Sequence, residues 1–234
     1  MALMDWGLDR YQVDVDYVKV SVVRKTDTKP DLGEPLPDHP PTPPLDTFTH
    51  ILVPSKTATI DSANPDRANA KQSPDNGQKS PSLLTVDETK VVILGWDFGL
   101  PRDYEIAGPA ILQLTTQRAN IPPQEQEDLG LLRISELYTS NRAWKSDTAS
   151  WDRIHQGQST ADVINSQMII DQAVETIPGS ANRFVLSSPS VHRLLNGQSS
   201  GIALSPLGVI EAQFYSPQSE NAFHPRLYLK LKKK

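Results

Sequence analysis

The sequence predicts an all-β protein, an antiparallel jelly-roll β-sandwich with one short helix, and three observations support this prediction. Short runs in which apolar and polar residues alternate, the period of a half-buried strand, recur at intervals of about 8–20 residues. Polar, turn-forming stretches separate these runs. Only residues 188–197 carry the signals of a helix, with Ser188 as a cap, Pro189 in the first turn and Gly197 at the end.

The predicted strands fill residues 47–234, which we expect to form one sandwich domain. They cover residues 48–53, 56–61, 82–86, 89–98, 108–118, 131–139, 166–177, 182–187, 201–206, 208–216 and 226–232. Two polar loops, residues 62–82 and 120–130, interrupt the series.

The N-terminal residues 1–29 predict a separate strand arm. Alternation runs through residues 11–25, but the apolar positions are odd-numbered at first and even-numbered from Val18 onwards, which predicts a bulge or a change of neighbour. One strand is not stable alone, so the arm is expected to pair either with the main domain or with another chain. We favour docking on other protein subunits. The predicted docking residues are Tyr11, Val13, Val15, Tyr17, Val18, Val20 and Val22.

Between the arm and the sandwich lies a proline-rich tether, residues 30–46, which holds seven of the 20 prolines. Such segments adopt an extended polyproline II conformation at about 3.1 Å per residue, so this one spans on the order of 50 Å. Residues 1–46 together form the predicted contact with partner subunits.

Composition excludes several classes of function. The 234 residues include no cysteine, which excludes disulfides, thiolate metal sites and cysteine nucleophiles. A net charge of −5 argues against a nucleic-acid binder, which is usually basic. No apolar run approaches the roughly 18 residues that a membrane span needs, so membrane insertion is not expected. The N-terminus lacks the basic start and apolar core of a signal peptide.

Catalytic motifs are weak, and we predict that the chain is not an enzyme. GQSSG (residues 197–201) fits G-x-S-x-G with Ser199 as nucleophile, but the predicted helix precedes this serine and the strand follows it, the reverse of the hydrolase order. A polar turn is the favoured interpretation, and an esterase is a third alternative. The five histidines show no metal-binding spacing.

Binding is predicted from aromatic and charged residues. Trp144 and Trp151 lie beside three basic residues, a set that suits an acidic glycan, although large aromatics in a sandwich usually fill the core. The candidate glycan-binding residues are Trp144, Trp151, Arg142, Lys145 and Arg153. No cofactor is expected, except that the oxygen-rich loop with Asp61, Asn64 and Asp66 predicts a structural calcium site, with ordinary turn formation as the alternative.

The order of these pieces resembles the DNRLRE-type β-sandwich domain, which includes a family of carbohydrate-binding modules. The resemblance covers about residues 50–232 and rests on segments that occur in the same order: KTATIDSANPD with PDNGQKSPSLLTV, WDFGLP, AGPAILQL, WKSDTASW, VLSSPSVHRLLNGQSSGIALSP and FYSPQSENAFHPRLYLKL. The namesake hexapeptide is absent. The resemblance implies a non-catalytic domain of the kind attached to polysaccharide-degrading enzymes or found in surface and adhesive proteins. It also implies a packing role for Trp144 and Trp151.

The sequence therefore predicts a non-catalytic structural or adhesion subunit of an extracellular or virion-like assembly. It would dock through its N-terminal strand arm and contact surface glycans. The alternative is a carbohydrate-binding module from the C-terminal end of a polysaccharide-degrading enzyme. This alternative arises because YQVDVDYVKVSVV (residues 11–23) resembles the closing strand of a laminarinase-like jelly-roll enzyme.

Overall fold

The computed structural model describes residues 11–16, 19–24, 45–68, 83–98, 104–121, 130–165 and 170–234. Its contacts divide the chain into two compact units, Met1–Pro41 and Thr42–Lys234. Of the predicted tether, only Leu45 and Asp46 are described, in the 3₁₀ turn Leu45–Thr47. The rest of the tether lies outside the described residues, as do most of the two predicted polar loops.

The N-terminal unit contains a β-hairpin, which corrects the prediction of one continuous strand over residues 11–25. Strand β1 (Tyr11–Asp16) pairs antiparallel with β2 (Lys19–Arg24), with Val15 opposite Val20 and Val13 opposite Val22. This pairing accounts for the change of apolar phase in the sequence, because in this register each odd-numbered residue of β1 lies opposite an even-numbered residue of β2. Two predicted docking residues, Tyr17 and Val18, lie outside the described residues.

The C-terminal unit is an all-β antiparallel sandwich with few helices, as predicted. Its strands are β3 (His50–Leu52), β4 (Lys56–Asp61), β5 (Leu84–Val86), β6 (Lys90–Gly95), β7 (Tyr104–Ile106), β8 (Ala110–Asn120), β9 (Leu131–Leu137), β10 (Ile170–Ala173), β11 (Ala181–Leu186), β12 (Gly201–Leu207), β13 (Glu211–Phe214), β14 (Arg226–Leu229) and β15 (Leu231–Lys233). Only β7 falls wholly outside the predicted strands, and the predicted strand over residues 226–232 is divided at Lys230 into β14 and β15.

Two main sheets form the sandwich. The first has the order β10-β9-β12-β6-β4, and the second has the order β3-β14-β8-β13-β5, with β11 paired to β8. A small third sheet joins β15 to β7. Strand β8 organises the second sheet, because β14 and β13 pair with successive parts of it while β11 also pairs along its N-terminal half.

The main core lies between the two sheets, and the first sheet is covered on its outer face as well. Val92 and Leu94 of β6 belong to the inner core, whereas Val91 and Ile93 belong to a second, outer cluster. Residues 138–165 cover this outer cluster with two short helices, α1 (Trp151–His155) and α2 (Thr160–Val163). Strand β6 is therefore buried on both faces, as its unbroken apolar run indicates.

The helices have recognisable caps. Helix α3 (Ser188–Leu195) confirms the predicted helix, but its cap is Ser187 rather than Ser188: the Ser187 hydroxyl accepts a hydrogen bond from the Ser190 N–H at 3.4 Å. Helices α1 and α2 were not predicted. Ser159 caps α2, and its hydroxyl donates a hydrogen bond to the Asp162 carboxylate at 2.6 Å. The S-x-x-D spacing in the sequence could therefore have predicted the start of this helix.

Gly201, the first residue of β12, lies against the backbone of β6. A Cβ at this position would collide with the carbonyl oxygen of Leu94 and lie 3.1 Å from its carbonyl carbon. Main-chain atoms of a central strand cannot move aside cheaply. The final glycine of GQSSG is therefore explained by packing.

We expect Gly201→Ala to lower the free energy of unfolding by roughly 2–4 kcal/mol, because the added methyl group forces β12 away from β6. Gly108→Ala is the matched control: Gly108 has φ +159°, close to the +154° of Gly201, but no described atom within 4 Å of its added Cβ. Urea unfolding of both variants separates the two effects, because Gly108→Ala reports backbone strain alone and Gly201→Ala reports strain together with the collision. Equal losses in the two variants would refute the packing explanation.

Candidate functional site

One end of the first sheet gathers residues from four separate segments. The strand register places Lys56 at the start of β4 opposite Gly95 at the end of β6, and Gly201 at the start of β12 opposite Leu137 at the end of β9. The residues just beyond these strand ends therefore converge. They come from the segment after β6, the loop after β9 and the connection from α3 to β12, and Lys56 at the start of β4 adds the fourth segment.

A cavity of about 270 Å³ lies among these segments; we call it the Trp96 cavity. It is lined by Lys56, Trp96, Asp97, Phe98, Arg142, Leu194, Leu195, Gly197, Ser199 and Ser200. The rings of Trp96 and Phe98 are stacked, with centroids 6.3 Å apart. Lys56 and Asp97 form an ion pair at 3.3 Å. The cavity thus combines aromatic area with charged donors and an acceptor.

Two polar atoms of the lining residues lack hydrogen-bond partners among the described residues. They are Nε1 of Trp96, a residue that is 8% exposed, and Oγ of Ser199, which is 3% exposed. Leaving a buried donor or acceptor unpaired costs about 1–3 kcal/mol. The two unpaired atoms are thus an uncompensated cost in residues that line this cavity.

An ion pair between the buried Glu136 and the partly exposed Arg193 holds the α3–β12 connection in place. Glu136 on β9 is 1% exposed, and its carboxylate accepts hydrogen bonds from Nε and Nη2 of Arg193 at 2.9 and 2.7 Å. This hydrogen bonding raises the pKa of Arg193 above its ordinary value. The Arg193 carbonyl in turn accepts from the N–H groups of Gln198 and Ser199 at 2.8 and 3.2 Å. The charge pair therefore anchors the segment that carries Ser199.

Ser199 has structural rather than nucleophilic surroundings. In the described part of the chain no imidazole or carboxylate is hydrogen-bonded to its hydroxyl. Gly197 has φ +67°, which glycine adopts without strain and which ends α3. Packing thus explains the glycine at position 201, and backbone conformation explains the glycine at position 197. Neither needs a catalytic explanation, which supports the polar-turn interpretation of GQSSG.

A second cavity, of about 250 Å³, lies at the outer layer; we call it the Trp144 cavity. It is lined by Asn141, Ala143, Trp144, Lys145, Thr148, Ala149 and Arg153. Trp144 is only 2% exposed and packs in the outer cluster, where its Cζ2 atom lies 3.0 Å from the place that a Cβ on Gly95 would take. Trp144 therefore offers no open ring face on which a sugar could stack.

The five predicted glycan-binding residues do not form one site. The structure brings Trp144, Lys145 and Arg153 together at the Trp144 cavity, whereas Arg142 lines the Trp96 cavity. Trp151 lines neither and stacks on His155, with ring centroids 4.1 Å apart. Sequence reasoning missed Trp96 and Phe98, although two aromatic residues flanking an aspartate at the end of the predicted strand 89–98 were a visible signal.

The predicted calcium loop forms a turn in the structure. Asp61 is buried, and its two carboxylate oxygens accept hydrogen bonds from the Ala63 N–H and the Asn64 side chain, both at 2.9 Å. Burial by itself raises the pKa of Asp61, but these hydrogen bonds hold it below its ordinary value. Asn64 and Asp66 are exposed. No group of three or more histidine, aspartate or glutamate side chains in the described residues suits a metal ion, and calcium stays a prediction.

His155 is a buried titratable group beneath Trp151. Its Nδ1 contacts the Trp151 carbonyl oxygen at 2.9 Å, and its Nε2 has no hydrogen-bond partner among the described residues. Burial lowers the pKa of His155 from its ordinary value of 6.5, despite opposing contributions from the Trp151 carbonyl and Asp152. Protonation would place a second N–H on the ring, and this N–H would be buried without a hydrogen-bond partner among the described residues. The neutral form is therefore favoured.

We expect the free energy of unfolding to fall as the pH drops below about 6.5, because His155 takes up a proton in the unfolded chain before it does so in the folded one. His155→Gln should reduce the difference between the free energies of unfolding at pH 7.5 and pH 5.5, both measured by urea unfolding. His192→Gln, an exposed histidine of α3, is the control. A pH dependence that is unchanged in His155→Gln would contradict this assignment.

Comparison with known proteins assigns neither a family nor a function to the chain. No protein-family model matches the chain, and a search of curated proteins gave no significant match. None of the described helices has the length and apolar composition needed to cross a membrane. The resemblance to the DNRLRE-type domain therefore stays a prediction made from the residues, and any function has to be argued from the two cavities and the hairpin.

Proposed function

We propose that the sandwich is a non-catalytic, saccharide-binding domain and that the Trp96 cavity is its binding site. The observation that carries this proposal is Phe98, a half-buried ring stacked on the buried Trp96, beside unpaired polar groups at the converging strand ends. A sugar ring presents an apolar face and a rim of hydroxyl groups. It suits a site that offers aromatic area and hydrogen-bonding groups together.

The other lining residues support the same ligand class. Lys56 and Asp97 supply a donor and an acceptor next to each other, and Leu194 and Leu195 extend the apolar wall. The cavity is slightly smaller than the roughly 300–1,000 Å³ typical of sites for drug-sized ligands. We infer that it accepts one sugar ring or a chain end rather than a long segment of polysaccharide.

Binding without catalysis is favoured by the arrangement of the acidic groups. Asp97 is the one carboxylate among the described residues that line the cavity, and its side chain is 70% exposed. Glycoside hydrolysis ordinarily requires two carboxyl groups flanking the scissile bond, one of them with a raised pKa. A saccharide-binding role suits a surface or adhesive subunit outside the cell or on a virion. It suits equally well the alternative of a module attached to a polysaccharide-degrading enzyme.

Saccharide binding should depend on Phe98. We expect Phe98→Ala to weaken binding about tenfold, because it removes half of the aromatic pair. Affinity gel electrophoresis against neutral and acidic polysaccharides finds the ligand, and the indole N–H resonance of Trp96 reports occupancy. Phe223→Ala is the matched control, since Phe223 is also partly buried and stacks on Tyr215 at 4.6 Å outside both cavities. Retardation by no polysaccharide, or equal loss in both variants, would refute the proposal.

We propose a second role for the hairpin, as the docking element of a protein assembly. Strands β1 and β2 form a two-stranded sheet of their own. Such an isolated hairpin is at best marginally stable in water, and each of its edges presents unpaired backbone groups. A partner that adds a strand to one edge would stabilise it by β-augmentation.

Removing residues 1–41 should abolish assembly, measured by light scattering after size-exclusion chromatography, while the thermal unfolding transition of the sandwich persists. Val20→Pro tests the same role at constant chain length, because proline removes a backbone donor from β2. Substitution of Pro40 by alanine in the tether is its control. An unchanged assembly state after the deletion would exclude this role.

A further inference from the structure

The segment from Asn141 to Lys145 borders both cavities. Arg142 lines the Trp96 cavity, whereas Asn141, Ala143, Trp144 and Lys145 line the Trp144 cavity. The saccharide proposal leaves the second cavity without a role. Its lining is chemically different, because it offers no open aromatic face and contains no aspartate or glutamate.

The Trp144 cavity is rich in hydrogen-bond donors. Lys145 and Arg153 contribute two positive charges, and the side chains of both ordinarily act only as donors. The indole of Trp144 is likewise donor-only, and its Nε1 has no hydrogen-bond partner among the described residues. A group that accepts hydrogen bonds and carries negative charge complements this set.

The positive charges of this cavity are not neutralised within the described chain. The ion pairs of the described residues use Lys56, Lys90, Arg133, Arg193 and Lys232. Lys145 and Arg153 appear in none of them. Arg133 illustrates the contrast, since it donates to both oxygens of Asp171 at 2.9 and 2.8 Å. Among the described residues, Arg153 has no equivalent carboxylate.

Arg153 is nevertheless held in position. Its Nη1 donates to the Thr148 carbonyl at 3.3 Å, and its main-chain N–H donates to the Ser150 hydroxyl at 3.4 Å. Its own carbonyl accepts from Nδ2 of Asn141 at 3.3 Å. The remaining guanidinium donors of Arg153 have no described partner. A fixed guanidinium loses less conformational entropy when it binds a carboxylate or sulfate than a free one does.

We propose that the Trp144 cavity binds an oxyanion, a carboxylate or sulfate group, through Lys145, Arg153 and the indole N–H of Trp144. Charge-assisted hydrogen bonds from a planar guanidinium and from an ammonium group are the strongest that a protein offers to an oxyanion. The volume of about 250 Å³ accommodates an acidic end group. This site is separate from the Trp96 cavity, so either proposal can fail while the other stands.

The chain contains four tryptophans, whose indole N–H resonances can be followed individually in the ¹⁵N-labelled full chain. Single Trp→Phe variants at Trp6, Trp96 and Trp151 assign three resonances and leave the fourth to Trp144. We titrate sodium glucuronate, sodium sulfate and glucose, each with sodium chloride adjusted to constant ionic strength. We expect a saturable shift of the Trp144 resonance with glucuronate, sulfate or both, and none with glucose.

Lys145→Gln and Arg153→Gln should each weaken this binding by roughly tenfold, because each removes one charged donor. Both side chains are exposed, so the variants are expected to fold. Arg118→Gln, on β8 of the other sheet, removes the same charge from an exposed position and should leave the affinity unchanged. No saturable shift, an equal response to glucose or sodium chloride, or an equal loss in Arg118→Gln would overturn the proposal.

Discussion

The burial of both faces of β6 is the constraint on which the rest of the sandwich depends. Val92 and Leu94 pack between the sheets, and Val91 and Ile93 pack in the outer cluster. Burial of each of these side chains stabilises the fold by about 2 kcal/mol. Both faces of the first sheet must therefore be covered, and residues 138–165 form the second cover with α1 and α2.

This covering layer also creates the candidate sites. The loop that leaves β9 must cross the end of the sheet to reach the outer face, so it carries Arg142 to one cavity and Lys145 to the other. Close contact of β12 with β6 at Gly201 and the Glu136–Arg193 ion pair hold the opposite wall. The cavities thus lie where the packing of a doubly buried sheet brings loops together.

Local patterns predicted most strands, because alternation records which face of a strand is buried. The match is complete for β4, whose predicted range of 56–61 is observed. The hairpin shows the limit of this reasoning. A change in which alternate residues are apolar is compatible with a bulge in one strand or with two paired strands. The pairing of Val15 with Val20 shows that there are two strands. The candidate site was predicted only in part, since Lys145 and Arg153 lie together while Trp151 packs on His155.

The sequence by itself determined the all-β class, the helix near residue 190 and the absence of cysteine chemistry, because these follow from periodicity, capping residues and composition. Only the tertiary structure decided which cavity, if any, each aromatic residue lines. Trp96 and Trp144 are both buried and both follow strands of one sheet, yet they border different cavities. Their roles depend on contacts between segments distant in the chain, and such contacts leave no local pattern in the sequence.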